Sequence, residues 1–200
     1  MRELIVAEFI TLDGVIQAPG GEDEDTEGGF VHGGWTRPYW HDDIGMHFFQ
    51  AMSGADALLL GRKTWQIHGA AFEPMVGNSF ADVMNNVHKY VVSTTLTSAA
   101  AWRNSTLIRD NVADAVRQLK LEPGKNILMD GSSVLAQELA KHDLVDEYSL
   151  HVYPIVLGGG KRLFPEGKRL NLTLVEATPL PTGVVFMRYR RVRRPRRRRA

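Results

Sequence analysis

The sequence contains no cysteine among its 200 residues. Disulfide bonds, thiolate nucleophiles and cysteine-ligated zinc sites, including those of zinc deaminases, are therefore excluded. Because such a chain suits a reducing compartment, we expect a cytoplasmic location. No apolar run approaches the roughly 20 residues that a membrane-spanning helix needs. The apolar N-terminal stretch is interrupted by Glu3, Glu8 and Asp13, so we expect no export signal.

Acidic residues are absent from the C-terminal segment 190–200, which holds eight of the 24 basic residues. The rest of the chain therefore carries 16 basic and 23 acidic residues, a formal charge of −7. An acidic body argues against a nucleic-acid-binding domain, although an arginine-rich segment alone can contact phosphate backbones. We expect one domain over residues 1–189, followed by a disordered, solvated tail over 190–200.

Several common site motifs are also missing. The chain has no GxGxxG and no HExxH, and its GGGK at 158–161 lacks the earlier glycine and the following Ser or Thr of a P-loop. Ser132 and Ser133 lack the second glycine of a nucleophile elbow. The seven histidines show no ligand spacing, so we expect no metal site and interpret them as surface or loop residues.

The hydrophobic pattern predicts alternating strands and helices. A buried strand is expected over 4–10, followed by a glycine-, proline- and acid-rich loop without regular structure over 13–38. The later elements are predicted as helix 41–53, strand 55–61, helix 62–69, strands 89–94 and 105–110, helix 111–120, strand 125–130, helix 132–141 and strands within 145–156, 171–177 and 183–190. This order predicts an α/β fold with a mostly parallel sheet and antiparallel closing strands.

Polar residues follow three of the predicted strands. Since ligands of open α/β sheets gather at the carboxyl ends of strands, we expect these residues to form one site. Two of the groups open helices, whose free N–H groups bind phosphate, and two adjacent cations favour the additional phosphate of NADP over NAD. Thr64 and Ser132 could individually be helix caps, but the three groups together favour a dinucleotide site. The groups are Gly61, Arg62, Lys63 and Thr64; Ser93 and Thr94; and Asp130, Gly131, Ser132 and Ser133.

Five segments resemble, in the right order, the dihydrofolate-reductase-like family typified by the C-terminal reductase domain of the riboflavin-biosynthesis deaminase/reductase. They are TLDGV, LLLGRKTW, VVST, ILMDGSSVL and YPIVLGGGKRLF. The resemblance implies a dihydrofolate-reductase-like three-layer α/β/α fold, a homodimer through the late strands, and NADPH as cofactor. It implies that residues 61–64 hold the pyrophosphate and 2′-phosphate, that Ser93 and Thr94 flank the adenosine, and that residues 130–133 cover the diphosphate.

The resemblance further implies that the first loop is a lid over the nicotinamide, with Gly14, Val15 and Ile16 near the reacting carbon. Dihydrofolate reductases join a Gly-Gly pair by a cis peptide where this chain has Asp130 and Gly131, so both isomers stay open. Their folate-clamping arginine has no counterpart at 87–89, and folate is therefore not expected as substrate.

The implied reaction is hydride transfer to a pterin-, pyrimidine- or flavin-related heterocycle, with a carboxylic acid as proton donor. Asp43 or Asp42 lies nearest to the carboxylate of dihydrofolate reductases that contacts the pterin. Neighbouring aromatic residues could surround it and keep it protonated, but both aspartates could equally be ordinary helix-start residues. The aromatic residues are Trp35, Tyr39, Trp40 and Phe48.

An alternative from another class is a binding protein that keeps the nucleotide pocket without turnover. Its arginine-rich tail would then engage nucleic acid. NADPH oxidation with a panel of heterocycles separates this alternative from a reductase.

Overall fold

The computed structural model describes residues 1–192, which build an eight-stranded sheet with helices on both faces. The strands are β1 Leu4–Thr11, β2 Ala55–Gly61, β3 His88–Val92, β4 Ser105–Ile108, β5 Asn126–Met129, β6 Glu147–Tyr153, β7 Leu172–Pro179 and β8 Val185–Arg191. Their order is β4-β3-β2-β5-β1-β6-β8-β7. The first six are mutually parallel, and β8 is antiparallel to both β6 and β7. The predicted α/β fold with antiparallel closing strands is confirmed.

Five helices cover the sheet: α1 Asp42–Ser53, α2 Arg62–Phe72, α3 Ser79–Asn86, α4 Val112–Leu121 and α5 Ser133–Lys141. Helices α1 to α3 pack on one face, and α4 and α5 pack on the other. Helix α3 was not predicted, because eight residues give little periodic signal. It begins at Asn78, whose side chain accepts hydrogen bonds from Phe80 N and Ala81 N. Within residues 1–192, no helix is long and apolar enough to cross a bilayer.

The central strands bury side chains on both faces, as expected for parallel strands covered by helices. On β2, Leu58 and Leu60 pack against α1 to α3, whereas Ala57 and Leu59 pack against α4 and α5. This two-sided burial explains why the strand reads as an unbroken apolar run in the sequence, and it fixes the position of the residues that follow Gly61.

Lys89 on β3 is fully buried and connects the sheet to the end of α3. Its Nζ donates hydrogen bonds to Met84 O at 2.9 Å and Asn85 O at 3.0 Å, and it lies 4.5 Å from the centre of the Trp102 ring. Burial lowers the pKa of Lys89 to about 8. This lysine therefore supports the core and is not available as a clamp for a substrate carboxylate.

The structure differs from the prediction at the C-terminal boundary and in the first loop. Strand β8 includes Arg190 and Arg191, which were assigned to the tail, because Arg190 pairs with Glu147 and Arg191 N donates to Asp146 O. The rest of the predicted tail, 193–200, lies outside the described residues. The loop expected to be irregular contains two 3₁₀ turns, Glu27–Gly29 and Arg37–Tyr39.

The core assignment predicts that Leu59→Ala lowers the free energy of unfolding by about 2–5 kcal/mol, because it leaves a cavity in the central strand. The matched variant Leu121→Ala changes a residue that is 62% exposed at the end of α4, and should alter stability by less than about 0.5 kcal/mol. Urea unfolding followed by circular dichroism measures both. Equal effects in the two variants would contradict the assignment.

Candidate active site

A cavity of about 1130 Å³ opens at the carboxyl ends of the central strands. It exceeds the roughly 300–1,000 Å³ of typical small-ligand pockets and therefore has room for more than one small molecule. Most of its wall is apolar, and its residues come from β1, the first loop, α1, β6 and the N-termini of α2 and α5. Its position agrees with the expectation that ligands bind beyond the carboxyl ends of parallel strands.

The N-termini of α2 and α5 meet at one end of this cavity because they follow the adjacent strands β2 and β5. Gly61 N donates to Ser132 Oγ at 2.7 Å, and Ser132 Oγ donates to Thr64 Oγ1 at 2.9 Å. Within the described residues, neither helix has a side-chain hydrogen bond that caps its first turn. The N–H groups of both first turns, which have no partner inside a helix, are therefore available to an anion.

Two glycines permit this close approach. A Cβ at Gly131, whose φ is +56°, would lie 2.6 Å from Thr64 Oγ1, and a Cβ at Gly61 would lie 2.8 Å from Ser132 Oγ. A larger residue at either position would push the helix starts apart. The peptide between Asp130 and Gly131 is trans.

Acidic side chains of the first loop contact the cations beside these helix starts. Lys63 Nζ lies 3.2 Å from Asp25 Oδ1 and 2.6 Å from Glu27 Oε2, and Lys161 contacts the same two carboxylates. Hydrogen bonds from Lys161 and then Lys63 lower the pKa of Glu27 to about 2. In this conformation the loop already offsets the charge of Lys63, whereas Arg62 donates a hydrogen bond to a neutral group, Gln66 Oε1, at 3.1 Å.

The predicted nicotinamide-side residues are divided between the cavity and the loop that supports it. Ile16 lines the cavity. Gly14 and Val15 are instead paired with the segment 161–163: Leu163 N donates to Gly14 O at 3.0 Å, and Val15 forms a β-bridge with Arg162. These contacts hold the first loop against the segment 161–163.

Ser93 and Thr94 follow β3, but neither is among the described residues that line the cavity. Ser93 Oγ accepts hydrogen bonds from Thr95 N and Leu96 N, and Thr94 O accepts one from Arg109. Both residues therefore form a turn beyond the strand. The other cofactor residues expected from the sequence, 61–64 and 130–133, all line the cavity.

The expectation that Asp42 or Asp43 lies in apolar surroundings is wrong. Asp42 is exposed, and the side chain of Asp43 is 40% exposed with its carboxylate 3.3 Å from His41 Nδ1. On α1 the cavity wall begins one residue later, at Ile44, and it includes neither aspartate. Of the aromatic residues, Trp35 and Tyr39 contact Tyr153, whereas Phe48, which contacts Phe80, and Trp40, which is 55% exposed, line the cavity.

A buried carboxyl group that the sequence reasoning missed lies in the cavity wall. Glu8 on β1 is 7% exposed, and its Oε1 has no hydrogen-bond partner in residues 1–192. Burial, reinforced by the nearby Asp130 carboxylate, raises the pKa of Glu8 well above its usual value. The available signal was an acidic residue inside an otherwise apolar strand, which was interpreted merely as an interruption of an apolar run.

Asp130 joins the predicted phosphate-binding segment to a histidine. Its Oδ2 lies 2.8 Å from His68 Nε2, and its Oδ1 is buried without a partner among the described residues. Burial lowers the pKa of His68, but the Asp130 carboxylate, together with that of Glu24, raises it, and the net shift is upward. Asp130 and His68 therefore form a partly buried ion pair at the cavity wall when His68 is protonated.

A second pair of histidines lies toward α1 and β6. His47 Nδ1 is 3.2 Å from His151 Nε2, and both rings pack against Phe186. Burial and then the neighbouring His47 lower the pKa of His151 to about 3, so His151 is neutral near neutral pH. The interpretation of all histidines as surface or loop residues is therefore wrong for His68 and His151. No group of three histidine or acidic side chains within residues 1–192 is placed to hold a metal ion.

Comparisons with known proteins agree with this geometry. The family of the RibD C-terminal domain matches residues 2–186. The uncharacterized protein YyaP of Bacillus subtilis (strain 168) is 31% identical over 193 residues, which are 94% of each chain. The family resemblance inferred from the sequence is thereby confirmed.

Solved structures show the same fold. A provisionally named riboflavin biosynthesis protein from Shewanella sp. PV-4 has a TM-score of 0.68 at 24% identity, covering 96% of this chain and 99% of its own. Dihydrofolate reductase from Enterococcus faecalis, solved with NADP(H) and RAB-propyl, has a TM-score of 0.61 at 16% identity, covering 94% and 96%. Both likenesses confirm the predicted dihydrofolate-reductase-like fold.

The two histidine environments predict opposite titrations by NMR of the imidazole ring signals. His68 should titrate above the pKa of about 6.5 that is ordinary for histidine, and His151 should stay neutral down to about pH 4. Asp130→Asn should lower the pKa of His68, because burial then acts without the compensating carboxylate. Since the folded pKa of His68 is raised, its stabilising contribution is complete below the unfolded pKa and is lost as pH rises through the folded pKa. His68→Gln and His151→Gln assign the signals, and titration of His151 near neutrality would contradict the description.

Proposed function

Because the chain belongs to the family of the RibD C-terminal domain, we propose that it is an NADPH-dependent reductase that transfers hydride to a pterin-, pyrimidine- or flavin-related heterocycle. The family and the dihydrofolate-reductase-like fold support a reductase in general terms. The observation that carries the finer proposal is the meeting of two uncapped helix N-termini at one end of a large apolar cavity.

The residues at this end fit a dinucleotide. Two first turns offer N–H groups for a diphosphate, and the hydroxyl groups of Thr64 and Ser133 lie beside them in the cavity wall. Arg62 offers a guanidinium, which binds a phosphate through two parallel hydrogen bonds. Lys63 adds a second cation once a phosphate replaces its loop carboxylates. NADPH, when bound, supplies a hydride.

The opposite end of the cavity fits a flat, weakly polar ring. Phe9, Trp40, Ile44 and Phe48 supply apolar surface there, and His151 supplies a neutral imidazole. A mostly apolar pocket with a few placed polar groups is the common form of a small-molecule site. A pyrimidine reductase-like protein from Corynebacterium diphtheriae has the same fold at 14% identity and a TM-score of 0.66, which is consistent with such a substrate class.

The proposal includes a cytoplasmic location and a homodimer through the late strands. Strand β7 is an edge strand whose Leu174 and Val175 are each about half exposed, and an unpaired apolar edge is suited to association. A binding protein without turnover stays the alternative. Its suggested nucleic-acid contact is the arginine-rich tail 190–200, of which residues 193–200 lie outside the described part of the chain.

The proposed phosphate site predicts that the intact protein binds NADPH more tightly than NADH in calorimetric titrations. Arg62→Ala with Lys63→Ala should weaken NADPH binding at least about ten-fold, because each lost charge-assisted hydrogen bond contributes roughly 1.5–3 kcal/mol. The control is Arg117→Ala with Lys141→Ala, which removes the same charge from exposed positions outside the cavity wall. If neither dinucleotide binds at millimolar concentration, the reductase proposal fails. NADPH binding without oxidation across a panel of heterocycles would favour the alternative.

The ion pairs of the loop carboxylates predict that removing these acids has the opposite effect on NADPH affinity. Glu27→Gln with Asp25→Asn should tighten NADPH binding by about two- to five-fold, because Lys63 and Lys161 no longer need to exchange a carboxylate for a phosphate. The increase should shrink in high salt, which screens exposed charges. Glu22→Gln is the matched control, since Glu22 contacts only Arg37 in this acidic segment. Weaker binding in the double variant would show that the acids support the nucleotide site.

A further inference from the structure

Within the described residues, two residues of the cavity wall each have a buried carboxyl oxygen without a hydrogen-bond partner. Of the buried side-chain polar atoms in residues 1–192, four lack a partner, and two of these four, Glu8 Oε1 and Asp130 Oδ1, belong to residues of the cavity wall. Buried polar groups in folded proteins are nearly always paired, so an exception at a cavity points to pairing with a ligand.

The topology explains why these two groups are neighbours. Strands β1 and β5 pair only as far as Val6 and Met129, after which the chain of β5 turns toward α5 at Asp130. Glu8 lies two residues beyond the last pair, still in register with Leu150 on β6. Glu8 therefore lies at the opening between the strands, close to Asp130 and Gly131.

We propose that Glu8 is the proton donor of the reduction, and that Asp130 and His68 supply the replacement proton from solvent. The proposal deepens the proposed reductase function and rests on it. Glu8 lines the cavity close to Asp130, which belongs to the segment beside α5. In the proposed reaction, the atom that is protonated lies beside the Glu8 carboxyl group.

The proton and electron balance is simple. The substrate gains a hydride at the carbon of a C=N or C=O group, and the π pair moves to the nitrogen or oxygen. That atom takes the proton of Glu8, whose O–H bond breaks to leave a carboxylate. Water then returns one proton through His68 and Asp130 to Glu8, so each turnover consumes one hydride and one proton.

The surroundings of Glu8 keep it ready to donate. Burial has the largest effect on the pKa of Glu8 and raises it, and the carboxylates of Asp130 and Glu24 raise it further. The Gly131 backbone has the opposite effect, because it favours the charged form. His68 is hydrogen-bonded to Asp130. A general acid needs a raised pKa of this kind and a position beside the reacting atom.

Other acidic or imidazole groups suit the role less well. Asp43 lies outside the cavity wall and is 40% exposed. His151 lines the cavity, but its imidazole is neutral near neutral pH. It can therefore donate a hydrogen bond, but it cannot act as a protonated imidazolium acid. Lys161 is held by the carboxylates of the first loop.

The first test needs no substrate. Infrared spectroscopy of the ligand-free protein near neutral pH should show the C=O stretch of a protonated carboxyl group, and Glu8→Gln should remove it. Glu122→Gln, at an exposed position beyond α4, should leave the band unchanged. Glutamine has the shape of the protonated acid, and circular dichroism checks that the variant folds. If Glu8→Gln removes no protonated-carboxyl band, the proposal is overturned.

The second test uses any acceptor in the heterocycle panel that the unaltered protein reduces with NADPH. Glu8→Gln should lower kcat by about 10²–10⁴-fold while the NADPH Kd stays within about two-fold, and Glu8→Asp should recover part of the rate. The pH profile of kcat should lose the limb that reports the acid. Unchanged kcat in Glu8→Gln would overturn the role of Glu8 while the reductase stands. If the unaltered protein reduces no acceptor, the proposed function fails, and the catalytic role of Glu8 fails with it even if the infrared band is present.

Discussion

The hydrogen bonds that join the ends of β2 and β5 determine how the cavity is built. Gly61 N and Thr64 Oγ1 both contact Ser132 Oγ, so the first turns of α2 and α5 lie side by side. This contact is possible because positions 61 and 131 carry glycine, where a Cβ would come within 3 Å of the opposite segment. Since adjacent parallel strands end at the same edge, the two helices present their N–H groups to the same space.

This junction also separates two chemical environments in one cavity. On one side lie free helix N-termini and cations, which favour a polyanion. Nearby lies the Asp130 carboxylate, which favours the protonated form of Glu8 and would repel a phosphate placed against it. This charge distribution favours a ligand whose anionic part lies toward the start of α2 and whose uncharged part lies toward Glu8.

The first loop adds a competing set of charges at the phosphate end. Asp25 and Glu27 reach Lys63 and Lys161, and the carbonyl oxygens of the same two acidic residues accept hydrogen bonds from Gln17 Nε2 at 3.0 Å. The loop is thus held to the rim by both backbone and ionic contacts. Because exposed ion pairs are weak individually, a phosphate can exchange with them at small cost. The acidic segment, prominent in the sequence only as a charge run, is part of the rim of the site.

Local sequence patterns determined the strands and most helices, because apolar runs and helical periodicity survive without tertiary information. They also located residues 61–64 and 130–133, since a residue at the end of a parallel strand has a known direction in space. The same reasoning did not find α3, whose eight residues carry too short a pattern. It also could not show that Arg190 belongs to β8, because its partner Glu147 is more than 40 residues away.

The sequence by itself therefore determined the fold class, the family and the two helix N-termini that line the cavity, all of which depend on contiguous motifs. The tertiary structure decided which ionisable groups face the cavity. It buried Glu8 beside Asp130, paired Asp130 with His68 and left Asp42 and Asp43 near solvent. Burial and charge pairing depend on groups from distant parts of the chain, and these two effects set the protonation state of a side chain.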